Sequence, residues 1–288
     1  MGKLTKPSVI KDYMNRYRFY FKKDFGQNFL IDDAAVERIV DALELSGQDI
    51  VLEVGPGIGA LTELLVQKAH FVIAIEIDPF AVKMLRDIFS DTENLLILQA
   101  DVLKTDLKEL LADYVESGRR ICAVSNLPYY ITSPTIMKLL ESRLPFESIV
   151  VMMQKEVAAR LGIGPGSKDY SSFTVVLEYY AEVKKLFDVS RSCFMPAPNV
   201  DSSVISICPR TEPAVSVRSE EVLFRTIRAA FATRRKTILN CISAGFALGK
   251  EETREVLNKA GIEENLRAEN ISLERYAILS DLLVRELK

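Results

Sequence analysis

The chain has one histidine, His70, in 288 residues. The side chain that most often moves protons near neutral pH is therefore almost missing. His70 stands just before an apolar run, which suits a strand edge better than a catalytic base. The four cysteines, Cys122, Cys193, Cys208 and Cys241, are widely scattered, and no CxxC pair occurs. That pattern excludes a zinc site of the usual ligand spacing, so no metal is expected, and it implies no disulfide framework. No run reaches the ~18 apolar residues of a membrane span, and the N-terminus is polar and basic without the apolar core of a signal peptide. A soluble, cytoplasmic protein without membrane contact is expected.

Apolar residues make up 48% of the chain, enough for a sizeable core, and the usual ~150 residues per domain suggests two domains. Net charge is −3, from 37 Lys+Arg against 40 Asp+Glu, which alone argues against a polyanionic partner. The distribution points the other way. Lys3, Lys6, Lys11, Arg16, Arg18, Lys22 and Lys23 face only Asp12 in residues 1–23, and Arg225, Arg228, Arg234, Arg235, Lys236 and Lys250 occupy residues 222–250 without an acid. Phosphate binding follows local potential, so these blocks are candidates for an RNA-binding face, with Arg225, Arg228, Arg234, Arg235 and Lys236 the residues of interest in the second. Solvated helix faces and a basic tail would look the same at this level.

The chain is organised around Val51-Leu52-Glu53-Val54-Gly55-Pro56-Gly57-Ile58-Gly59-Ala60-Leu61-Thr62. A short β-branched run gives way to a glycine-punctuated turn and then to an amphipathic run, which reads as strand, tight loop, helix. Glycine is needed where φ turns positive or where a ligand must lie against bare backbone. Glu76 ends the next apolar run, at about the ~20-residue spacing of a ribose-binding acid. Two cofactor classes fit this much: a nicotinamide or flavin dinucleotide, and S-adenosylmethionine (SAM).

Around this motif the periodicity predicts a helix from Asp32 or Asp33 to Leu45, strand Ile50–Val54, helix Ala60–Lys68, strand Phe71–Ile75 and helix Pro79–Phe89. Strand Leu95–Leu98, helix Leu107–Val115 and strand Ile121–Val124 follow. A helix capped by Ser133-Pro134 runs to Leu140, and Ser148–Met153 is a fifth strand. Such alternation means βαβ units, a mostly parallel sheet, and ligands at the carboxyl ends of its strands. Gly162 to Ser172 reads as a mobile loop over or beside the site. Val183–Val189 and Ser203–Ile207 extend the sheet, Pro209 to Pro213 is a linker, and Tyr179-Tyr180 is a core pair. From Ser219 onward only helical runs remain: Glu220–Phe231, Lys236–Phe246, Glu251–Ala260 and Leu273–Leu287.

Each central strand ends in a polar residue suited to one part of an adenosyl ligand: Glu53 with the glycines, Glu76 for ribose hydroxyls, Asp101 for an exocyclic amine, and Asn126. The stretch Asn126-Leu127-Pro128-Tyr129 narrows the chemistry. An adenine amine is a poor nucleophile because its lone pair is delocalised into the ring. Hydrogen bonds from its N–H groups to the Asn126 side-chain oxygen and to the Leu127 carbonyl would draw the nitrogen towards a tetrahedral shape. Pro128 stiffens the turn, and Tyr129 offers a ring on which an unstacked base can lie. Methyl transfer from a sulfonium needs positioning more than a strong base, which suits a site without histidine. An oxidoreductase would need a proton-transfer residue, and none presents itself.

With these residues in place, the chain closely resembles the KsgA (RsmA) family of small-subunit ribosomal RNA adenine N6,N6-dimethyltransferases along almost its whole length. The likeness is carried by Gly26-Gln27-Asn28-Phe29-Leu30, by Glu53 through Gly59, by Glu76-Ile77-Asp78 and by Asn126-Leu127-Pro128-Tyr129. It continues through Gln154-Lys155-Glu156-Val157-Ala158 and Pro165-Gly166-Ser167-Lys168-Asp169-Tyr170. Beyond these lie Phe194 through Pro198, Val200-Asp201-Ser202-Ser203-Val204, and Phe231 with Arg234-Arg235-Lys236. The resemblance implies an α/β, Rossmann-like SAM-dependent methyltransferase domain over residues 25–210, after a basic segment 1–24 and before a small all-helical domain over 211–288. It implies that Asn28, Leu30, Gly55, Glu76, Asp101 and Asn126 contact SAM, joined in the motif by Glu53 and Gly57. The target base would be held by Asn126, Tyr129 and Phe194. It further implies a monomer that methylates two adjacent adenosines, each twice, in the 3′-terminal hairpin loop of 16S rRNA during small-subunit assembly.

One departure is Ala100, where many members have glycine, and a methyl group there would crowd the adenine end. Large-subunit (23S) rRNA adenine N6-methyltransferases of the antibiotic-resistance type look similar through the catalytic domain. A non-catalytic assembly factor on the same fold is the remaining alternative.

Overall fold

The computed structural model describes residues 3–17 and 28–286, with the side chains of residues 285 and 286 excepted. Gly26 and Gln27 of the opening motif, the basic Arg18, Lys22 and Lys23, and Leu287 at the end of the last expected helix lie outside the described residues. The chain divides into two compact units, residues 1–158 with 183–209, and residues 159–182 with 210–288.

The first unit begins with α1 (Pro7–Tyr17), β1 (Phe29–Leu30), α2 (Asp33–Asp41), β2 (Ile50–Val54), α3 (Thr62–Lys68), β3 (Phe71–Glu76) and α4 (Pro79–Ile88). It continues through β4 (Leu95–Gln99), α5 (Leu107–Glu116), β5 (Ile121–Ser125), α6 (Tyr129–Glu141), β6 (Phe146–Gln154) and the short α7 (Lys155–Ala158). After α8 (Ser172–Tyr180), the strands β7 (Ala181–Val189), β8 (Phe194–Met195) and β9 (Ser202–Pro209) return to the sheet region. The main sheet has the order β4-β3-β2-β5-β6-β9-β7. Strands β2 to β6 run parallel, and β9 lies antiparallel to β6. Every residue of β2 and β5 is buried, as expected of unbroken apolar runs with helices on both faces. The strand order reverses direction between β2 and β5, which places the crevice for a ligand at their carboxyl ends.

Helix starts follow capping chemistry. Asp32 accepts the Ala35 N–H, Asp78 the Phe80 N–H ahead of Pro79, and Asp106 the Lys108 and Glu109 N–H groups. One expected start differs. α6 begins at Tyr129, not at Ser133, and Pro134 lies inside it. Pro128, with φ −51°, forms its N-cap, the Ile131 N–H closes a tight first turn on the Pro128 carbonyl at 3.1 Å, and Thr132 Oγ1 bonds the same carbonyl at 3.2 Å. The structure adds elements that the periodicity does not predict, among them α1, β1, α7, α8 and β8. α1 packs Ile10, Tyr13 and Met14 with Ala81, Met84 and Ile88 of α4 and with Phe29 and Ile58. β1 pairs antiparallel with β8, Phe29 opposite Met195 and Leu30 opposite Phe194.

The second unit holds α8, α9 (Glu220–Phe231), α10 (Ile238–Phe246), α11 (Lys250–Lys259) and α12 (Leu273–Glu286). Leu223, Ile227, Ile242, Leu257, Tyr276 and Leu279 are buried in its core. α9 and α10 approach closely at Gly245, where an added Cβ would overlap the Ala229 methyl carbon. Segment 159–182, expected in the catalytic domain, clusters with these helices because α8 packs against α9 and α12. The glycine-rich stretch expected as a mobile loop is fastened to the same unit. The Gly166 N–H donates to the Glu269 carbonyl at 2.8 Å, and Arg234 donates to the Lys168 carbonyl at 2.7 Å. Among the described residues no helix is long and apolar enough to cross a membrane.

Candidate active site

A cleft opens at the carboxyl ends of β2, β3, β4 and β5, within the first unit. Its walls include Asn28, Leu30, Glu53, Gly55, Gly57, Glu76, Asp101, Asn126, Leu127, Pro128, Tyr129 and Phe194. Every sequence-derived cofactor and base candidate therefore meets in one place.

The glycine loop leaves β2 with three positive φ angles, +71° at Gly55, +60° at Gly57 and +90° at Gly59, which L side chains adopt only under strain. An added Cβ on Gly55 would lie 2.7 Å from Leu127 Cδ2, so the Asn-Leu-Pro-Tyr turn packs directly onto the glycine loop. The loop is also tied from below. The Gly55 N–H bonds the Ile75 carbonyl at 2.9 Å, and the Gly57 N–H bonds Glu76 Oε2 at 3.1 Å. Glu76 Oε1 accepts the Asp78 N–H at 2.9 Å. The Ile77 N–H also bonds this carboxylate, which keeps lone-pair capacity for a ligand hydroxyl. Burial raises the Glu76 carboxyl above its ordinary range, and these backbone N–H bonds oppose the shift.

Glu53 is 1% exposed. Its Oε2 accepts the Thr62 hydroxyl at 2.6 Å, while its Oε1, buried on the cleft wall, has no hydrogen-bond partner. Burial first, and the neighbouring Glu76 second, push this carboxyl up to about 8, against the lowering effect of the Thr62 bond. Glu53 thus stands neutral at pH 7 as a brace between β2 and the first turn of α3.

Asp101 lies beyond β4, with Oδ1 accepting the Leu103 N–H at 3.0 Å and Oδ2 3.7 Å from Lys104 Nζ. Ala100 lines the cleft without positive φ, and its N–H bonds the Glu76 carbonyl at 3.0 Å, so the methyl group causes no backbone strain.

Asn126 stands just past the end of β5. Its Nδ2 lies 3.5 Å from the Asn28 carbonyl, which can only accept, so the amide nitrogen faces Asn28 and Oδ1 is turned away from it. Tyr129, half-buried at the start of α6, bonds Ser202 Oγ through its hydroxyl at 2.9 Å. Burial raises its phenol, which stays neutral. Phe194 is buried and reaches the cleft wall because β8 is paired with β1, the same pairing that holds Leu30 there.

Three contributors escaped sequence reasoning. Ile77, 49% exposed after the strand-end acid, and Tyr130, 61% exposed, give the cleft an apolar rim. Position immediately after a site motif was the available signal for both. Ser202 has no local signal, because its contact with Tyr129 spans 73 residues.

The basic candidates lie in the second unit and are not equivalent. Arg225 sits 4.4 Å from the centre of the Phe246 ring and bonds the Gly245 carbonyl at 3.1 Å, so it fastens α9 to α10. Arg228 is exposed on α9, and Arg234, Arg235 and Lys236 are exposed on the turn between α9 and α10. Lys3 and Arg16 of the first basic block are engaged with Asp33 and Asp12.

The model of the ribosomal RNA adenine dimethylase family matches residues 18–284. The chain is 43% identical over 281 residues to ribosomal RNA small subunit methyltransferase A of Alkaliphilus metalliredigens (strain QYMF), covering 97% of this chain and 98% of that one. The Bacillus mycoides (strain KBAB4) protein of the same name is 43% identical over 287 residues, covering 99% and 98%. Among solved structures, a dimethyladenosine transferase from Plasmodium falciparum superposes with a TM-score of 0.72 at 26% identity, covering 87% of this chain and 95% of that one. The 23S rRNA methyltransferase ErmE superposes at 0.64 with 27% identity, covering 89% and 100%. A family match over nearly the whole chain, with close relatives of equal length, makes this protein a member of the ribosomal RNA adenine dimethylase family.

Proposed function

We propose that this chain transfers methyl groups from SAM to the N6 amines of two adjacent adenosines in the 3′-terminal hairpin loop of 16S rRNA. It acts as a monomer in the cytoplasm on the assembling small subunit, giving dimethyladenosines. The observation that carries this reading is that Asn126, with Oδ1 turned away from Asn28, lines the same cleft as the glycine cradle, Tyr129 and Phe194.

The residues present suit SAM. Gly55 and Gly57 line the cleft, Glu76 keeps capacity to accept from a ribose hydroxyl, Asp101 can accept from an adenine amine, and the partnerless Glu53 Oε1 is a polar atom left for a ligand hydrogen bond. Asn28 and Leu30 close the cleft from the β1 side. Bound there, SAM supplies an electrophilic methyl group on a positively charged sulfur. The protein's task is to deliver the amine nitrogen in line with that methyl.

Asn126 Oδ1 and the Leu127 carbonyl accept the two N–H groups of the target adenine and turn its lone pair out of the ring. Tyr129 and Phe194 replace the stacking partners the base loses when it leaves its stack in the loop. The proton leaves only after the new N–C bond has made the nitrogen acidic, so water suffices to take it. The exposed cations Arg228, Arg234, Arg235 and Lys236 would contact RNA phosphates.

The test is transfer of labelled methyl groups from SAM to small subunits isolated from cells lacking the modification, with large subunits and their naked RNA in parallel. Label confined to small subunits and recovered as N6,N6-dimethyladenosine is the expected result. The likeness to ErmE favours a second reading, and label on large-subunit RNA would establish it. SAM binding without transfer to either subunit would mark a non-catalytic assembly factor.

A further inference from the structure

Tyr129 is fixed at both ends. Its backbone opens α6 directly after Pro128, and its hydroxyl reaches Ser202 Oγ at 2.9 Å. Ser202 is fully buried at the first position of β9, opposite Gln154 at the end of β6. The residue before it is clamped as well, since Asp201 accepts the Lys155 N–H on its carbonyl at 3.0 Å and the Arg191 N–H on Oδ1 at 2.9 Å. A tyrosine held only at Cα rotates about χ1 and χ2. A second anchor at the phenol oxygen removes the χ1 freedom and fixes where the ring's long axis lies. The ring is half-buried on the cleft wall, so the anchored position is the one a base would meet.

We infer that Ser202 is a positioning residue that holds the Tyr129 ring in place on the cleft wall, so that the target adenine meets a platform already set beside Asn126. This rests on the adenine-methyltransferase reading. Without the Ser202 bond the ring still stacks, but the base samples orientations in which its amine is out of line, and the loss falls on turnover more than on binding.

Ser202→Ala, Tyr129→Phe and the double variant separate this role from a structural one. Tyr129→Phe keeps the ring and removes the same bond from the other end. Each single variant is expected to lower kcat for methyl transfer about five-fold, the order of one hydrogen bond. KM and SAM affinity should stay near wild type in both single variants and the thermal midpoint in Ser202→Ala, and the double variant should be no slower than the slower single. RNA carrying 2-aminopurine at the target position should still lose its stacking within the loop on binding, yet show a broader fluorescence lifetime distribution with Ser202→Ala. Wild-type kcat in Ser202→Ala, or losses that multiply in the double variant, overturns the proposal. A drop in SAM affinity and thermal midpoint parallel to the drop in kcat also overturns it, by making Ser202 a packing residue. Wild-type protein inactive on small subunits would instead fail the reading on which the inference rests.

Discussion

Thr62 gives its hydroxyl to Glu53 Oε2 at 2.6 Å, joining the end of β2 to the first turn of α3 behind the glycine loop. Because burial raises Glu53 from 4.5 to about 8, this brace has a pH signature. Below about pH 4.5 the carboxyl is protonated folded and unfolded alike. From there to about pH 8 only the folded chain keeps the proton, so Glu53 costs stability progressively as pH rises through that window and no more beyond it. Glu53→Gln keeps an acceptor for Thr62 and cannot ionise. Urea midpoints measured from pH 5 to 8.5 should show the variant gaining on wild type as pH rises. Parallel curves would mean that Glu53 is ionised in the folded protein.

Gly55 combines φ +71° with Leu127 Cδ2 where its Cβ would be. Gly55→Ala should therefore both strain the loop, at about 1–3 kcal/mol, and push the Leu127 side chain off it. The expected outcome is a lower thermal midpoint together with weakened SAM affinity by calorimetry. Unchanged values for both would show that the loop and the Asn-Leu-Pro-Tyr turn are not packed as described.

Asn126→Ala removes the acceptor for the adenine amine and the contact with the Asn28 carbonyl, while Glu76, Asp101 and the glycine loop remain. SAM binding should weaken but persist, and methyl transfer should fall by at least about a hundred-fold, since the lost interaction acts on the reacting nitrogen. Full activity in this variant would sink the mechanism.

The basic residues of the second unit divide by contact. Arg228→Glu/Arg235→Glu/Lys236→Glu removes exposed cations and should weaken binding to ribosomal RNA, flattening the plot of log affinity against log salt by about two units. Arg225→Ala should act differently, lowering the thermal midpoint because the side chain covers Phe246 and bonds Gly245, with little change in salt slope. If the triple variant kept its affinity and salt slope, the cluster would be a solvated face.

The parallel strands and their flanking helices were legible because long apolar runs and caps such as Asp78-Pro79 act locally, and the strand-end residues Glu53, Glu76, Asp101 and Asn126 follow from those strands. What escaped depends on distant partners. Nothing within Phe29-Leu30 marks a strand until Phe194-Met195 lies beside it. Ser133-Pro134 reads as a helix start, yet Pro128 supplies an earlier one, and the helix tolerates Pro134 within it. The Gly162 to Ser172 stretch reads as loose because its glycines are visible and the Glu269 carbonyl that holds Gly166 is not.

The pairing of β1 with β8 also has a bearing on how the enzyme matures. Leu30 and Phe194 are separated by most of the catalytic unit's sequence, so the wall they share cannot exist until nearly all of that unit has been made. Loop closure over such a span comes late, after the local βαβ units have formed. A nascent or truncated chain ending before Phe194 would carry the glycine loop, Glu76 and Asn126 but no wall beside them. Catalytic competence should thus be among the last properties the chain acquires during its synthesis.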